Sequence, residues 1–318
     1  MLRNSTVQTR EMKTTNFDDA PAIDQARLLC DEISTLAESP VWDERRQLLF
    51  WCDILGKKVR SAGMGGVGYR EWTFAETVSS LGLCETGDLI VACGMHILIL
   101  NPESGEASTL HSIPAPEGIA CRLNDGRVGP DGAFWVGTMH NVPLSQMQPL
   151  GELWRITKDK AERVQTGLSC PNGLAFSQDG SVMWQSDSVQ KWIRKRTFDK
   201  TNGVFDEGVL VAQMQEETGR PDGGCLDSSG RYWSAGVSAG VLNIFSEDGS
   251  QQIGTIKMPV PHPTMPCFGG PDFGSLFVTS HRHNMTEDRL SQVPLSGSVW
   301  VIPSDIKGFA AFRFDDGA

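Results

Sequence analysis

Four side chains with oxygen donors recur at a constant distance from a turn. Each precedes a turn-like residue by eight positions, and each turn leads into a short apolar strand. The four side chains are Glu38, Asn124, Asn172 and Asp222, and the turn residues are Arg46, Gly132, Gly180 and Gly230. Because equivalent positions of repeated units occupy equivalent places, a closed ring of such units would direct all four side chains to one point. Carboxylate and amide oxygens, without His or Cys, suit a hard divalent cation.

These positions belong to units that repeat along the chain. Short apolar runs recur near residues 50, 90, 135, 184, 233 and 277, at steps of roughly 40 to 50 residues, which is the period of a four-stranded propeller blade. Hairpin turn signals lie between the runs, namely Asp131-Gly132, Asp179-Gly180, Asn202-Gly203 and Asp248-Gly249. The sequence therefore predicts an all-β fold, a six-bladed β-propeller, because a β-sandwich or two barrels would not give so even a period.

The two ends of the chain are expected to play different parts. The last apolar segments, residues 298–302 and 308–314, are predicted to pair with the segment entering at Ala37-Glu38, since such pairing would remove an exposed sheet edge. Residues 1–27 are polar, mixed in charge and without the apolar core of a signal peptide. They are predicted to be a disordered extension, and residues 28–318 a single propeller domain.

The composition limits the class of binding partner and the cellular compartment that the sequence predicts. A formal net charge of −11 without a basic stripe argues against binding to nucleic acid and favours a small-molecule partner. The eight cysteines form no CxxC pair and lie in apolar runs, as small buried residues of a reducing compartment do. No stretch approaches the roughly 20 apolar residues that span a bilayer. A cytoplasmic protein that does not bind a membrane is expected, and the oligomeric state stays open.

Each candidate donor also has a simpler interpretation. Asn172 and Asp222 precede glycines and could be ordinary turn residues, and Glu38, on a proline-flanked loop, could be solvated. The constant offset from a second turn, and the apolar strands that begin at these positions, favour a shared site. In the other two blades the corresponding positions, near Ser79 and Cys267, offer no strong ligand. The predicted site is therefore asymmetric, with coordination left open for water and substrate.

Further side chains lie where they could contact a substrate. Arg122 precedes Asn124 by two residues, so both face one side of a strand, and the guanidinium could bind a carbonyl or ring hydroxyl. The alternative is a surface arginine. Asp53 and Asp187 are expected to accept hydrogen bonds from backbone donors within their blades. Three histidines follow strand ends and could line the mouth of the site, although most loop histidines contact no ligand: His140, His281 and His283.

Six segments match, in order, the motifs of one known family. They are Glu38-Ser39-Pro40-Val41-Trp42, Arg122-Leu123-Asn124-Asp125-Gly126, Phe134-Trp135-Val136-Gly137-Thr138-Met139, Pro171-Asn172-Gly173-Leu174-Ala175-Phe176-Ser177, Pro221-Asp222-Gly223 and Cys267-Phe268-Gly269-Gly270-Pro271-Asp272. From about residue 36 to its end, the chain resembles the regucalcin/gluconolactonase family, which includes luciferin-regenerating-enzyme-like members. The resemblance implies a six-bladed propeller with one divalent metal cation at the centre of one face, and hydrolysis of a sugar lactone.

The resemblance also assigns residues. It implies metal ligands at Glu38, Asn172 and Asp222 and substrate contacts at Arg122 and Asn124. The cation could be Ca, Zn, Mn, Mg or Fe. Some members carry an acidic substrate-contacting residue three positions after the methionine of the Gly-Thr-Met motif, and this chain has Val142 there. That departure bears on the sugar preference and leaves the metal site unaffected.

Residues and resemblance together predict a gluconolactonase-like aldonolactonase. The lactone carbonyl would be polarised by the cation, and Asp222 is the candidate to take a proton from the attacking water. Three alternatives stay open. They are an ester or phosphotriester hydrolase on the same metal site, a non-catalytic calcium-binding regulator, and a propeller that serves as a protein-interaction platform.

Overall fold

Six β-sheets form the blades of a closed ring. The structure, a computed structural model, describes residues 20–318, so most of the predicted extension, residues 1–27, lies outside the described residues. Each sheet has four or five strands. The innermost strand of every blade contacts those of the two neighbouring blades, and the last blade contacts the first. The predicted six-bladed β-propeller is confirmed.

The strands follow one another in chain order from the axis outward. A short first strand, β1, spans Arg27–Leu28. Blade I contains β2 (Ala37–Asp43), β3 (Leu48–Asp53), β4 (Lys58–Ala62) and β5 (Arg70–Thr73). Blade II contains β6 (Val78–Cys84), β7 (Leu89–Cys93), β8 (His96–Leu100) and β9 (Ala107–Ser112). Blade III contains β10 (Cys121–Val128), β11 (Phe134–His140), β12 (Gly151–Ile156) and β13 (Ala161–Leu168).

The second half of the ring repeats this arrangement. Blade IV contains β14 (Pro171–Phe176), β15 (Val182–Asp187), β16 (Trp192–Asp199), β17 (Val204–Phe205) and β18 (Val209–Gln213). Blade V contains β19 (Pro221–Leu226), β20 (Tyr232–Gly236), β21 (Val241–Phe245) and β22 (Gln252–Lys257). Blade VI contains β23 (Pro263–Gly269), β24 (Ser275–Ser280) and β25 (Trp300–Pro303), and β26 (Arg313–Phe314) follows.

Helical structure is sparse among residues 20–318. One α-helix, α1, spans Glu287–Gln292, and single 3-10 turns span Ile23–Gln25, Met64–Gly66 and Leu144–Gln146. None of these helices is long and apolar enough to cross a membrane.

Every innermost strand carries a register irregularity close to its start. The irregularity lies between Glu38 and Val41 in β2, between Val78 and Ser80 in β6, and at corresponding places in the other four blades. A bulge bends a strand and re-aims the side chains beside it. Because all six bulges lie at the same end of the ring, they turn side chains toward the axis at one face, here called the site face.

The ring closes through the N-terminal strand rather than as predicted. β25 pairs with β1, with Arg27 opposite Val301, so β1 completes blade VI. The prediction that residues 298–302 and 308–314 pair with Ala37-Glu38 is wrong. That segment begins the innermost strand of blade I and pairs with β3 at the axis, whereas β25 is the third strand from the axis in its own blade.

The C-terminal strand covers the face opposite the site face. β26 pairs in parallel with the end of β6, with Arg313 opposite Leu83. Arg313 Nη2 lies 2.8 Å from Asp43 Oδ1 and 2.9 Å from Glu44 Oε1. Asp43 ends β2 of blade I, so this buried ion pair joins the C-terminus to two neighbouring blades.

Aromatic side chains fill the space between blades. Four tryptophans of second strands are at most 1% exposed: Trp51, Trp135, Trp184 and Trp233. Trp184 of blade IV stacks on Tyr232 of blade V with ring centroids 4.5 Å apart. Trp233 of blade V packs edge to face against Phe268 of blade VI at 5.4 Å. Such pairs stabilise through buried area and ring geometry and therefore fix how neighbouring blades meet. Six of the eight cysteines are buried in the same layers, and the other two are half-buried.

Two buried aspartates anchor the segments that lead into the site face, in agreement with the sequence-based expectation. Asp53 accepts hydrogen bonds at 3.1 Å from the backbone N–H groups of the two residues that precede β2. Asp187 accepts them, at 2.7 and 3.2 Å, from the two residues that precede β14. Glu38 and Asn172 are the second residues of these strands, so the aspartates fix where both side chains lie along the propeller axis.

The closure by β1 yields a prediction about truncation. Removing residues 1–28 deletes β1 and the contacts of Ile23, Ala26 and Leu28 with the apolar core of blades V and VI. We expect the melting temperature to fall by about 5 to 10 °C relative to a chain that lacks only residues 1–19. The shorter deletion is the control because it keeps every contact among residues 20–318. Equal melting temperatures for both truncations, measured by calorimetry, would contradict a stabilising role for β1.

Candidate metal centre

The structure gathers the four predicted donors around the axis of the site face. Glu38 lies in β2, Asn124 in β10, Asn172 in β14 and Asp222 in β19, each beside the bulge of its strand. Glu38, Asn124 and Asn172 are 5 to 6% exposed, and Asp222 is half-buried. Asn124 Nδ2 lies 3.3 Å from Asn172 Oδ1. The negative charge of Asp222, two blades away around the ring, acts on Glu38.

Although the offset in sequence is constant, the four donors occupy two different register positions relative to the bulge. In blades I and IV the donor is part of the last regular pair before the bulge, as Glu38 is with Cys52. In blades III and V it is the first residue after that pair, as Asp222 is after Pro221. The hairpin after this strand offsets the difference of one residue. Four residues lie between its closing pair in blades I and IV, and three lie there in blades III and V. The eight-residue spacing is thus kept by two different local geometries.

An amide network fixes the orientation of both asparagines. Asn124 Nδ2 donates to the carbonyl oxygen of Pro171 at 3.0 Å. Asn172 Nδ2 donates to Ser188 Oγ at 2.8 Å, and Ser188 Oγ donates to the carbonyl oxygen of Pro221 at 2.5 Å. Because the amide nitrogen of Asn172 is engaged by Ser188, its oxygen is the atom directed toward Asn124 and the axis. The network spans blades III, IV and V and restrains their relative positions.

Arg122 lies beside these donors, as the two-residue spacing predicts. Its Nη1 donates to Asn124 Oδ1 and to the backbone carbonyl oxygen of Leu123, both at 2.8 Å. Burial lowers the pKa of Arg122, while nearby negative groups, Glu38 and Asp222 among them, act to raise it. The guanidinium is therefore part of the same electrostatic unit as the two carboxylates.

The carboxyl groups of the site lie where ionisation is unfavourable, because they are withdrawn from water and close to one another. Burial, followed by repulsion from Asp222 and Asp125, holds the pKa of Glu38 well above its usual range. Burial and repulsion from Asp125 raise the pKa of Asp222 to about 7, although Arg220 and Arg122 oppose the shift. Burial also raises the pKa of Asp125. Three carboxyl groups withdrawn from water in this way require a nearby positive charge to remain ionised.

The donor set fits a hard cation. Glu38 Oε2 accepts a hydrogen bond from the N–H of Ser39 at 2.8 Å, and that bond restrains the carboxylate. Glu38, Asn172 and Asp222 together supply two carboxylates and an amide oxygen, the ligand types that calcium and magnesium prefer. Among residues 20–318, no cluster of three or more His, Cys, Asp or Glu side chains could hold a metal. A softer site built from cysteines or histidines is thus absent from the described part of the chain.

The two remaining blades contribute no strong donor, although one of the predicted positions is wrong. In blade II the bulge residue is Ser79, as expected. In blade VI the position that corresponds to Asp222 is Thr264 rather than Cys267, because the bulge of β23 follows Pro263. Thr264 Oγ1 donates to the carbonyl oxygen of Ala37 at 2.6 Å and is therefore occupied. The asymmetry of the site follows from these substitutions.

Sequence reasoning missed two residues of the site. Asp125 lies 4% exposed directly after Asn124, and its Oδ2 accepts a hydrogen bond from the N–H of Leu174 at 3.0 Å. The Asn-Asp-Gly pattern had the simpler interpretation of a turn, yet its position before a strand was the signal. Ser188 carries no such signal, since its role depends on the pairing of β14 with β15.

The loops around the site face carry the remaining predicted positions. His140 ends β11 and His281 follows β24, and the Nδ1 atoms of both are buried without a hydrogen-bond partner among residues 20–318. His283 is exposed. Val142 is half-buried in the loop after β11, where its N–H bonds to the carbonyl oxygen of His140 at 3.0 Å. An apolar side chain therefore stands at the position where the resemblance implies an acidic residue in some members of the family.

Comparisons with known proteins agree with this architecture. The family model described as SMP-30/Gluconolactonase/LRE-like region matches residues 36–282. The chain is 34% identical to 6-deoxy-6-sulfogluconolactonase of Pseudomonas putida over 87% of its own length and 94% of that protein. It is 31% identical to regucalcin of Xenopus laevis, over 89% and 96% of the two chains.

A solved structure extends the likeness to the fold. The calcium-binding protein regucalcin from Agrobacterium tumefaciens superposes with a TM-score of 0.86, covering 95% of this chain and 99% of that one at 23% identity. The propeller architecture is thus shared. The chain belongs to the SMP-30/gluconolactonase/LRE-like family.

Proposed function

We propose that this chain is a metal-dependent hydrolase of a sugar lactone, of the aldonolactone class. The observation that carries the proposal is the convergence of the carboxylates of Glu38, which is buried, and Asp222, which is half-buried, beside the hydrogen-bonded pair of Arg122 and Asn124. The name of the Pseudomonas putida relative, a lactonase, supports the same reaction class. Buried, unpaired cysteines support a reducing location such as the cytoplasm.

Each residue has a part that its surroundings support. A divalent cation held by Glu38, Asn172 and Asp222 would supply Lewis-acid polarisation of the lactone carbonyl; calcium, zinc, manganese, magnesium and iron are the candidates. Asn124 holds the amide of Asn172 in place through the bond between their side chains. Arg122 would bind an oxygen of the substrate with the N–H groups that Leu123 and Asn124 do not engage.

Asp222 is our candidate for the base that accepts a proton from the attacking water. In the metal-free site, burial together with Asp125 raises the pKa of Asp222 to about 7. A bound cation would lower this pKa, so the carboxylate would be ionised and able to accept a proton at neutral pH. Its half-buried position leaves the carboxylate accessible to a water molecule. Proton transfer to Asp222 would leave a hydroxide equivalent to attack the lactone carbonyl carbon. The ring C–O bond would then break as the proton passes from Asp222 to the leaving ring oxygen, which gives the open-chain hydroxy acid and returns Asp222 to its ionised form.

A substrate panel tests the proposal directly. Initial rates on aldonolactones, aryl esters and phosphotriesters, measured with metal removed and restored one cation at a time, separate the lactonase from other hydrolases on this site. We expect aldonolactones to give the largest kcat/KM. Turnover of no compound in the panel, by protein that retains a bound cation, would instead favour a calcium-binding regulator.

The first variant removes a ligand. Asp222→Ala should abolish both cation retention and lactone turnover while leaving the fold intact, because Asp222 supplies both a carboxylate donor and the candidate base. The measurements are metal content after dialysis and kcat/KM by proton release. Asp248→Ala, an exposed turn aspartate of the same blade, is the matched control. Parent-like activity of Asp222→Ala after chelation and reloading would remove Asp222 from the site.

The raised pKa values predict a dependence of stability on pH in metal-free protein. When the folded-state pKa of an acid exceeds its unfolded value, its contribution to stability is complete at low pH and is lost as pH rises through the folded-state pKa. For Asp222 that value is about 7. The melting temperature of chelated protein should therefore fall as the pH rises from about 4 to about 7 and level off above that, and excess cation should restore it.

The control for this pH effect is Asp222→Asn, which keeps the shape of the side chain and removes its titration. Its melting temperature should fall less than that of the parent over the same range. An identical fall in both chelated proteins would show that other groups cause the dependence.

The second variant tests substrate orientation. Arg122→Ala should lower kcat/KM by about ten- to a thousandfold, the effect of losing a charge-assisted contact, while metal content stays near that of the parent. Arg163→Ala, a 56% exposed arginine in β13 of the same blade, is the control. Unchanged kcat/KM on the best lactone would make Arg122 irrelevant to substrate, and loss of metal would make it a support of the ligand shell.

A further inference from the structure

Three blades place a basic or imidazole side chain at one register position. In blades III, V and VI the residue before the last regular pair is Arg122, Arg220 or His262. The first of these shows where such a side chain points, since Arg122 Nη1 lies 2.8 Å from the side chain two residues later, Asn124. By the same repeat, Arg220 precedes Asp222 by two residues in blade V. Two arginines therefore flank blade IV at equivalent places on the site face.

Arg220 belongs to a continuous patch along blades V and VI. The N–H of Val237 donates to the carbonyl oxygen of Arg220 at 3.1 Å. His262 Nδ1 donates to the carbonyl oxygen of the same Val237 at 3.0 Å. The ring of His262 in turn stacks on His281 with centroids 4.6 Å apart and planes inclined by 4°. We call Arg220, His262 and His281 the basic rim.

Arg220 differs from Arg122 in that its guanidinium is not engaged. Among residues 20–318, no carboxylate forms an ion pair with Arg220 and no acceptor receives a hydrogen bond from its side chain. The hydrogen bonds of this residue are made by its backbone, such as the one from its N–H to Ser238 Oγ at 2.9 Å. Its register position, two residues before Asp222 as Arg122 is two residues before Asn124, nevertheless places it beside the centre. Burial, with the neighbouring His262, lowers the pKa of His281 to about 3, so this ring is neutral.

With Arg220 included, the site has more positive than negative charge. The three carboxylates Glu38, Asp222 and Asp125 carry three negative charges, against which a divalent cation would supply two positive charges and Arg122 and Arg127 one each. Arg220 then adds a positive charge that no described side chain compensates. The loop of residues 141–150, which leaves the site end of β11, has no charged side chain that could do so. A neutral lactone would not make use of this charge, whereas an anionic one would.

We propose that the basic rim is an anion subsite, and that the preferred substrate is a sugar lactone with a phosphate or sulfonate on its exocyclic carbon. The planar guanidinium of Arg220 would bind two oxygens of this group at once. The inference rests on the proposed lactonase function and adds the charge of the substrate to it.

The test compares charged and neutral lactones. Steady-state kcat/KM is measured for glucono-1,5-lactone and for its 6-phospho and 6-deoxy-6-sulfo derivatives, with the parent protein, Arg220→Gln and Arg220→Lys. We expect the parent to prefer at least one anionic lactone. In Arg220→Gln the ratio of anionic to neutral kcat/KM should fall about 10- to 100-fold, and Arg220→Lys should recover part of it. The two anionic lactones distinguish a phosphate from a sulfonate preference.

Arg194→Gln is the matched control, since Arg194 packs over Trp192 on an outer strand of blade IV and should leave the ratio unchanged. A parent enzyme that prefers the neutral lactone, or an Arg220→Gln ratio equal to that of the parent, would overturn the subsite. Metal content measured alongside shows whether Arg220 acts through the cation instead, which would also overturn it.

Failure of the lactonase proposal is separable from failure of the subsite. If no lactone is hydrolysed, binding of 6-phosphogluconate and of gluconate is measured by calorimetry on the same proteins. Tighter binding of 6-phosphogluconate, lost in Arg220→Gln, would support the anion subsite without the reaction. Equal binding of the two ligands would overturn it.

Discussion

The structure depends on keeping like-charged carboxylates together in a place withdrawn from water. Glu38 and Asp222 approach the axis from different blades, and Asp125 lies close enough to raise the pKa of both. Burying an uncompensated charge costs several kcal/mol. These groups can therefore be ionised together only if positive charge is brought to the same point. A divalent cation together with Arg122 would meet that need, and for this reason we interpret the site as a metal centre.

The scaffold resists the repulsion by fixing its blades independently of the site. Stacked aromatic rings such as Trp184 and Tyr232 set how neighbouring blades meet. β1 completes blade VI, so the ring has no open seam between its ends. Within the site face, Asp187 and Ser188 tie blade IV to the start of its own inner strand and to blade V. Asn172 is consequently held by Ser188 as well as by Asn124.

Residues at equivalent positions of the blades supply the polar groups of the site face, and the blades that lack such groups make the site asymmetric. Register-equivalent positions hold Arg122, Arg220 and His262, whereas the positions that could complete a ring of donors hold Ser79 and Thr264. Acidic donors are thus confined to part of the axis, with an arginine engaged by Asn124 on one side and an unengaged arginine on the other. A substrate bound between the two would have its carbonyl and its exocyclic group in different electrostatic surroundings.

The sequence by itself determined the six-bladed ring and the positions from which Glu38, Asn124, Asn172 and Asp222 reach its axis, because strand period and turn spacing are local properties. Only the tertiary structure decided which strand closes the ring, since pairing of Arg27 with Val301 joins the two ends of the chain. It also decided the two register positions of the donors, the place of Thr264 and the roles of Asp125 and Ser188. Bulges and contacts between blades set these features, and neither leaves a periodic mark in the sequence.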